Sequence, residues 1–431
     1  MNIFWFRRDL RLNDNAGLYH ALKNGKPVVP VFIFDTNILD DLEDKDDARV
    51  NFIHDTLVEL NNQLIALGSK LNIYHGTPEN IFKQIPEEFK VEKVFTNCDY
   101  EPYAIDRDDK IVKILGSKGI TFHSYKDHVI FEKNEVVKED GTPYVVFTPY
   151  SRKWKALLSE VYLNTYPAEI YFSNFYKAAP AQIPSLESIG FKKSKLKIPS
   201  GKIPDQIIQD YKKDRDYPGK KGTSHLGIHL RFGTISIRGL ALYVKNRSAE
   251  YLNELIWRDF YQMVLFHFPH IGRGEAFKKE YDRIEWRNNE KEFENWCRGR
   301  TGYPLVDAGI RELNETGFMH NRVRMVTASF LTKHLLVDWR WGEAYFARLL
   351  LDYDFASNNG GWQWSAGSGC DAAPYFRIFN PVAQAKRFDP ELKYVKKWVP
   401  EINSLGYPTP IVEHDFARKR CLEVYNKALR K

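Results

Sequence analysis

An α/β domain built on a parallel, five-stranded Rossmann-like sheet, followed by an all-α domain, is the architecture this sequence predicts. Three observations predict it. Over residues 1–130, short runs rich in Val, Ile, Phe and Tyr alternate with amphipathic stretches, the pattern of a parallel sheet covered by helices on both faces. From about 205 to 431 the hydrophobic period is nearly all helical, and no strand series recurs. Residues 131–204, between the two, lose their periodicity and gain prolines and lysines, as a connector does.

The expected strands are 2–6, 28–34, 70–74, 93–96 and 120–124, with helices over 47–68 and 103–119. No Gly-x-Gly-x-x-Gly follows the first strand, which argues against a standard dinucleotide site there. The connector carries one aromatic segment, Val145-Val146-Phe147-Thr148-Pro149-Tyr150, and ends in a Lys- and Ser-rich surface loop over 190–204. In Gly219-Lys220-Lys221-Gly222-Thr223-Ser224 the glycine spacing is wrong for a P-loop, although Thr223 and Ser224 offer hydroxyls and backbone N–H groups to a phosphate. Helices are expected over 237–245, 249–266, 303–316, 321–338, 341–351 and 417–429. The stretch Asn358-Asn359-Gly360-Gly361-Trp362-Gln363-Trp364 is a combination that no ordinary helix or strand needs.

With 431 residues, 43% hydrophobic and 28% charged, the chain has the make-up of a globular protein of two or three domains. Its net charge of +7 suits a polyanionic partner without demanding one. Cys98, Cys297, Cys370 and Cys421 are scattered with no C-x-x-C pair, which argues against a disulfide scaffold or a zinc site and fits a reducing compartment. The first nine residues enter a strand pattern at once, unlike a signal peptide, and no apolar run approaches membrane-spanning length. A cytoplasmic location and no membrane partner are therefore expected. Seven of the ten tryptophans fall between 257 and 364, a concentration beyond what a packed helical core requires.

Chemistry-bearing residues share helix faces. Glu254, Trp257, Arg258 and Tyr261 stand at i, i+3, i+4 and i+7. A core face would be aliphatic, and a solvated face would hold only a Glu254–Arg258 ion pair. The full set suits a pocket that stacks a planar ring on Trp257 and hydrogen-bonds its edge through Glu254. The same spacing groups Asn321, Arg324 and Met325, while Arg322 projects about 100° away, towards a phosphate. Asp352 and Asp354 alternate as in an extended segment and offer carboxylates to Arg324 or to a ligand N–H.

The stretch from Asn358 to Trp364, running into Asp371-Ala372-Ala373-Pro374-Tyr375-Phe376-Arg377-Ile378-Phe379-Asn380-Pro381, closely resembles the flavin- and lesion-facing segment of the photolyase/cryptochrome family. Trp5-Phe6-Arg7-Arg8-Asp9-Leu10-Arg11 resembles the family's opening strand, and Glu254 to Tyr261 its E-x-x-W-R-x-F-Y helix. Thr301-Gly302-Tyr303-Pro304-Leu305-Val306-Asp307-Ala308 and Met319 to Met325 are similarly close, so the resemblance covers essentially the whole chain. It is nearest to the class I-type cyclobutane pyrimidine dimer photolyases. The (6-4) enzymes carry histidines where Asn321 and Met325 stand, and His320 lies on another helix face. Plant cryptochromes have Asp at the position of Asn358, and DASH-type cryptochromes usually lack the Trp362-Gln363-Trp364 pairing. The helical pattern runs to Ala428, without the extra tail of signalling cryptochromes, which are the alternative reading.

The resemblance implies FAD, held in a U shape by the helical domain, with Tyr211, Thr223, Ser224, Arg258, Asn321, Arg324, Asp352, Asp354 and Asn358 at its binding positions. It implies ultraviolet-damaged DNA as partner and a monomer, with Arg215, Trp257, Arg322, Trp364, Arg377 and Gln384 facing the DNA. The catalytic pocket would comprise Glu254, Trp257, Asn321, Met325 and Trp364. Trp362, Trp339 and Trp286 would form the electron-transfer chain, from which Trp296 is left out, and no metal is implied. Two departures stand out. Gly227 replaces the serine of the family's T-S-x-L-S-P phosphate segment, and Tyr100-Glu101-Pro102-Tyr103-Ala104 lacks the Asn-Glu pair of folate-binding members. The standard folate antenna is thus not implied, and a second chromophore is left unidentified.

Overall fold

The computed structural model of the chain describes residues 1–430. Strands β1 (Asn2–Phe6), β2 (Val28–Asp35), β3 (Asn72–Gly76), β4 (Lys93–Asn97) and β5 (Thr121–Tyr125) form one sheet in the order 3-2-1-4-5, with every pair parallel. All five expected strands are present. The third begins two residues late because the Leu71 N–H is taken by the Asn61 side chain (2.9 Å), so the ladder starts at Asn72.

Alternation within the strands builds two cores. Phe4, Phe6, Phe32 and Phe34 pack with Leu18 and Leu22 of α1 (Ala16–Lys23) and with Leu57, Leu60 and Leu64 of α2 (Ala48–Ala66). Ile3, Trp5, Val29, Val31 and Ile33 pack on the other face with Phe82 and Ile85 of α3 (Pro78–Glu88) and Ile111 and Leu115 of α4 (Pro102–Gly116). Beyond the ends of β1 and β4, where such sheets open a crevice, charged side chains pair with one another. Arg7 bonds Asp108 (2.7 Å), Arg8 bonds Asp99 (3.1 Å) and Glu101 (2.8 Å), and Arg11 bonds Asp127 (2.8 Å).

The chain divides into two compact units: residues 1–132, 157–201 and 226–245, and residues 133–156, 202–225 and 246–431. The second unit is helical. Its elements include α5 (Phe147–Leu157, the last residue counted with the first unit), α6 (Ala249–His267), α7 (Pro304–Thr316), α8 (Asn321–Ser329), α9 (Trp339–Leu349), α10 (Phe355–Ala366) and α11 (His414–Leu429). Trp296, Trp339, Trp362, Phe330 and Phe346 anchor its main core.

Three elements differ from expectation. α5 lies inside the stretch expected to be irregular. Its buried face is aromatic, Tyr150 and Trp154, and Trp154 Nε1 donates to Asp259 Oδ2 at 2.9 Å. Pro149 falls in its first turn, where no N–H is needed. The single helix expected over 321–338 instead ends at Ser329, continues as a π-turn over Phe330–His334 and stops before Leu336, whose φ is +51°. Within that turn the fully buried Lys333 donates to the carbonyls of Ala366 (3.0 Å) and Tyr375 (3.1 Å), contacts that fix the backbone there. Burial lowers its ammonium to about 8.

The third correction concerns the stretch from Asn358 to Trp364, which lies on an ordinary helix, α10. Its buried side is polar, which hides the amphipathic pattern. Gln363 donates to Asn359 (3.0 Å) and accepts from the N–H of Phe277 (2.7 Å), while Asn359 donates to Glu343 (3.0 Å). Gly360 is required by packing, since a Cβ there would lie 2.3 Å from the ring of Tyr261 on α6. Gly361 has nothing within 4 Å of that position. Gly360→Ala should therefore cost about 1–3 kcal/mol of stability through overpacking. Gly361→Ala should be neutral or gain up to about 1 kcal/mol from helix propensity. Urea unfolding midpoints of the two variants check the contrast.

Candidate active site

The site is assembled from α6, α8, α10 and the loops beside them, all within the second unit. On α6, the Trp257 ring stacks on Phe147 at the start of α5, with centroids 3.6 Å apart and planes 3° from parallel. Tyr261 lies 5.5 Å from the same indole at 29°. Glu254 accepts a hydrogen bond from Arg215. Burial pushes the Glu254 carboxyl above its usual range, against the opposing pull of Arg215. Tyr211 packs edge-on against Tyr251 (4.9 Å), whose hydroxyl pairs with Ser224 Oγ (2.8 Å), and Thr223 Oγ1 lies 3.3 Å from His225 Nε2. Arg258 is half-buried on the same helix.

On α8, Arg324 donates to both carboxylate oxygens of Asp352 (3.0 and 2.9 Å) and through Nε to the Met319 carbonyl (2.7 Å). Asn321 is exposed at the helix start. Arg322 bonds Asp216 (2.7 Å), approaches Met325 Sδ (3.8 Å) and lies 4.2 Å over the Phe388 ring. His320 is the N-cap: its Nδ1 accepts from the Arg322 N–H at 3.2 Å. Burial and the neighbouring Arg324 depress it to about 4, so it is neutral at physiological pH and its cap nitrogen is occupied.

At the start of α10, Asp354 caps the helix, accepting from the N–H (3.2 Å) and hydroxyl (3.0 Å) of Ser357. Asn358 Nδ2 donates to the Glu343 carbonyl (3.1 Å). Trp362 is buried, and its Nε1 has no hydrogen-bond partner. Trp364 is half-buried, 6.4 Å from Phe379. Arg377 is exposed on the following loop, and Gln384 is partly buried on the helix Pro381–Phe388. Trp339 and Trp362 share the main core, with Trp286 packed at its edge and partly exposed. Trp296 also touches Trp362, with centroids 6.1 Å apart. No group of three His, Cys, Asp or Glu suited to a metal occurs among the described residues, and no helix there is long and apolar enough to cross a membrane.

Four participants escaped the sequence reading. Tyr251 stands three residues before Glu254, so extending the same helical spacing would have found it. Phe147 lay within the aromatic segment already visible in the connector. Asp216 and Glu343 carry no sequence signal, because only the packing brings them to Arg322 and to Asn358 and Asn359.

Residues 251–406 match the family model described as the FAD binding domain of DNA photolyase, and residues 2–169 match that of DNA photolyase. The fold is thus that of a flavin-binding light enzyme, and the chain belongs to the DNA photolyase family. It is 36% identical to the deoxyribodipyrimidine photo-lyase of Synechococcus sp., covering 99% of this chain and 96% of that one. It is 34% identical to the enzyme of that name from Escherichia coli, over 99% and 98%. Among solved structures, a class III photolyase from Agrobacterium tumefaciens superposes with a TM-score of 0.88 at 33% identity, covering 100% of this chain and 98% of that one. An archaeal photolyase from Sulfolobus tokodaii, whose crystals hold two FAD molecules, gives 0.83 at 35%, over 99% and 100%.

The donor set fits a flavin nucleotide: hydroxyls at Thr223 and Ser224 and the Arg258 cation suit a diphosphate, while the Arg324–Asp352 pair and Asn358 suit the polar edge of a fused ring. Behind Asn358, burial raises Glu343 to about 7, with the hydrogen bond from Asn359 opposing. A carboxyl raised from an ordinary 4.5 favours the folded state while protonated. That stability is complete below pH 4.5, declines above it and is gone once the pH passes about 7. The difference is on the order of 3 kcal/mol. Glu343→Gln should flatten unfolding free energy across this window, and urea titrations at a series of pH values check it.

Proposed function

We infer that this chain is a light-driven lyase that splits cyclobutane pyrimidine dimers in ultraviolet-damaged DNA, acting as a monomer in the cytoplasm. The observation that carries the reading is the face of α6, where a half-buried Glu254, its carboxyl raised by desolvation, stands one turn from a Trp257 ring already set flat by Phe147. When bound, reduced FAD supplies, on illumination, the electron that opens the dimer. Tyr211, Thr223, Ser224, Arg258, Asn321, Arg324, Asp352, Asp354 and Asn358 would hold it.

The remaining steps belong to the chain. Flipping a dinucleotide from the duplex costs a few kcal/mol, and less for a lesion that pairs badly. Stacking on Trp257 and Trp364 returns roughly 1–3 kcal/mol per contact, enough to offset that cost. Glu254, whose carboxyl is raised by desolvation against the pull of Arg215, would face a pyrimidine carbonyl and, when protonated, donate a hydrogen bond that stabilises the charge arriving there. Asn321 and Met325 pack beside it. Arg377 is exposed and available to a phosphate, whereas Arg215 and Arg322 reach one only by exchanging Glu254 and Asp216 for it. Trp286, Trp339 and Trp362 carry electrons inwards from the surface.

Opening a cyclobutane needs electron transfer and bond scission alone, whereas the (6-4) reaction also needs a proton donor. Here His320, which precedes Asn321, is neutral at physiological pH, and its Nδ1 is engaged as a cap. On oligonucleotides, light but not darkness should restore cyclobutane dimers and leave (6-4) photoproducts intact. Efficient repair of the (6-4) lesion would overturn the assignment, and absence of light-dependent dimer repair would overturn the function.

Trp339→Phe should keep the fold and flavin content but abolish light-driven reduction of the bound flavin by an external reductant. Dimer repair should survive in that variant once the flavin is reduced chemically. Because Trp296 touches Trp362, Trp296→Phe is the control. If that variant fails while Trp339→Phe reduces normally, the order of the chain is wrong.

A further inference from the structure

We propose that α5 is a DNA-contacting element whose stripe of Thr148, Arg152 and Lys155 tracks the phosphates beside the lesion. The proposal rests on the reading that Trp257 faces the flipped dimer. Phe147 on Trp257, Tyr150 against Phe260 (5.1 Å) and Trp154 to Asp259 (2.9 Å) are among the contacts that fix α5 to α6. Its preceding residues are tied to the loop that carries Arg377. Cys370 Sγ donates to the Val145 carbonyl (3.0 Å), and the Phe147 N–H donates to Asp371 (3.1 Å).

With Tyr150, Ser151 and Trp154 turned inwards, Thr148, Arg152 and Lys155 fall at i, i+4 and i+7 on an exposed stripe. The stripe is about 10 Å long, roughly three phosphate steps of one strand. Among the described residues, neither Arg152 nor Lys155 is paired with a carboxylate, in contrast to Arg215 and Arg322. Val145 (37% exposed), Val146 (42%) and Phe376 (61%) add apolar surface to the same loops. Cations beside such a rim match a duplex from which bases have been displaced, where phosphates border uncovered base and sugar surface. Lys153, exposed but about 100° from Arg152, lies off the stripe and serves as the internal control.

The test is equilibrium binding of the flavin-loaded protein to a dimer-containing duplex and to its undamaged counterpart across a series of salt concentrations. The Arg152→Ala/Lys155→Ala double variant should weaken both by the same factor. It should also lower the slope of log affinity against log salt by about 1.8, two phosphate contacts at about 0.9 each. Lys153→Ala should leave the slope at the wild-type value. Circular dichroism and flavin absorbance verify that the variants are folded and loaded. An unchanged slope in the double variant, or an equal fall with Lys153→Ala, overturns the proposal. So does a loss confined to the lesion, which would mean that α5 acts only through Trp257. Wild-type protein that binds both duplexes equally would instead overturn the reading of the lesion site, leaving the slope test of α5 intact.

Discussion

The close approach of α6 and α10 governs the site. The ring of Tyr261 occupies the space a side chain at position 360 would need, so the two helices meet without an intervening Cβ. That contact places the chemistry-bearing face of α6 beside the helix that carries Asn358, Trp362 and Trp364. A second close approach stiffens the same region: a Cβ at Gly342 on α9 would lie 2.1 Å from the Trp362 ring. Interiors packed this tightly have few alternative arrangements. The stacking and hydrogen-bonding groups are therefore held in place before any ligand arrives.

Charge is arranged to the same end. Glu254 with Arg215, Arg322 with Asp216, and Arg324 with Asp352 each satisfy an ionic group at the site. Breaking a half-buried pair leaves an uncompensated charge, so each pair is released only to a ligand that replaces the lost partner. A phosphate or a carbonyl bearing negative charge meets that condition. Burial raises Glu343 to about 7, which limits the negative charge stored around the pocket.

The sheet was readable because strands buried on both faces, such as β1 and β2, read as short continuous apolar runs between amphipathic helical stretches. The site was readable where helical spacing alone groups residues, as for Glu254, Trp257 and Tyr261, and where charge alone pairs them, as for Arg324 with the carboxylate of Asp352. It was not readable in α10, where buried amides replace the apolar stripe that marks a helix. Nor was the end of α8 visible, because a buried lysine bonded to Ala366 and Tyr375 interrupts the helix through contacts distant in sequence. α5 was hidden because its buried face is a pair of aromatics following a proline.

Lesion recognition, as proposed, depends most directly on Trp257 acting as the stacking platform for a displaced dimer. Trp257→Ala, loaded with flavin and titrated against dimer-containing and undamaged duplexes, tests this. Lesion affinity should fall by roughly 1–3 kcal/mol, while binding to undamaged DNA, which is mainly electrostatic, should be nearly unchanged. An equal loss on both duplexes would show that Trp257 only fills the core beside Phe147, and would contradict the account.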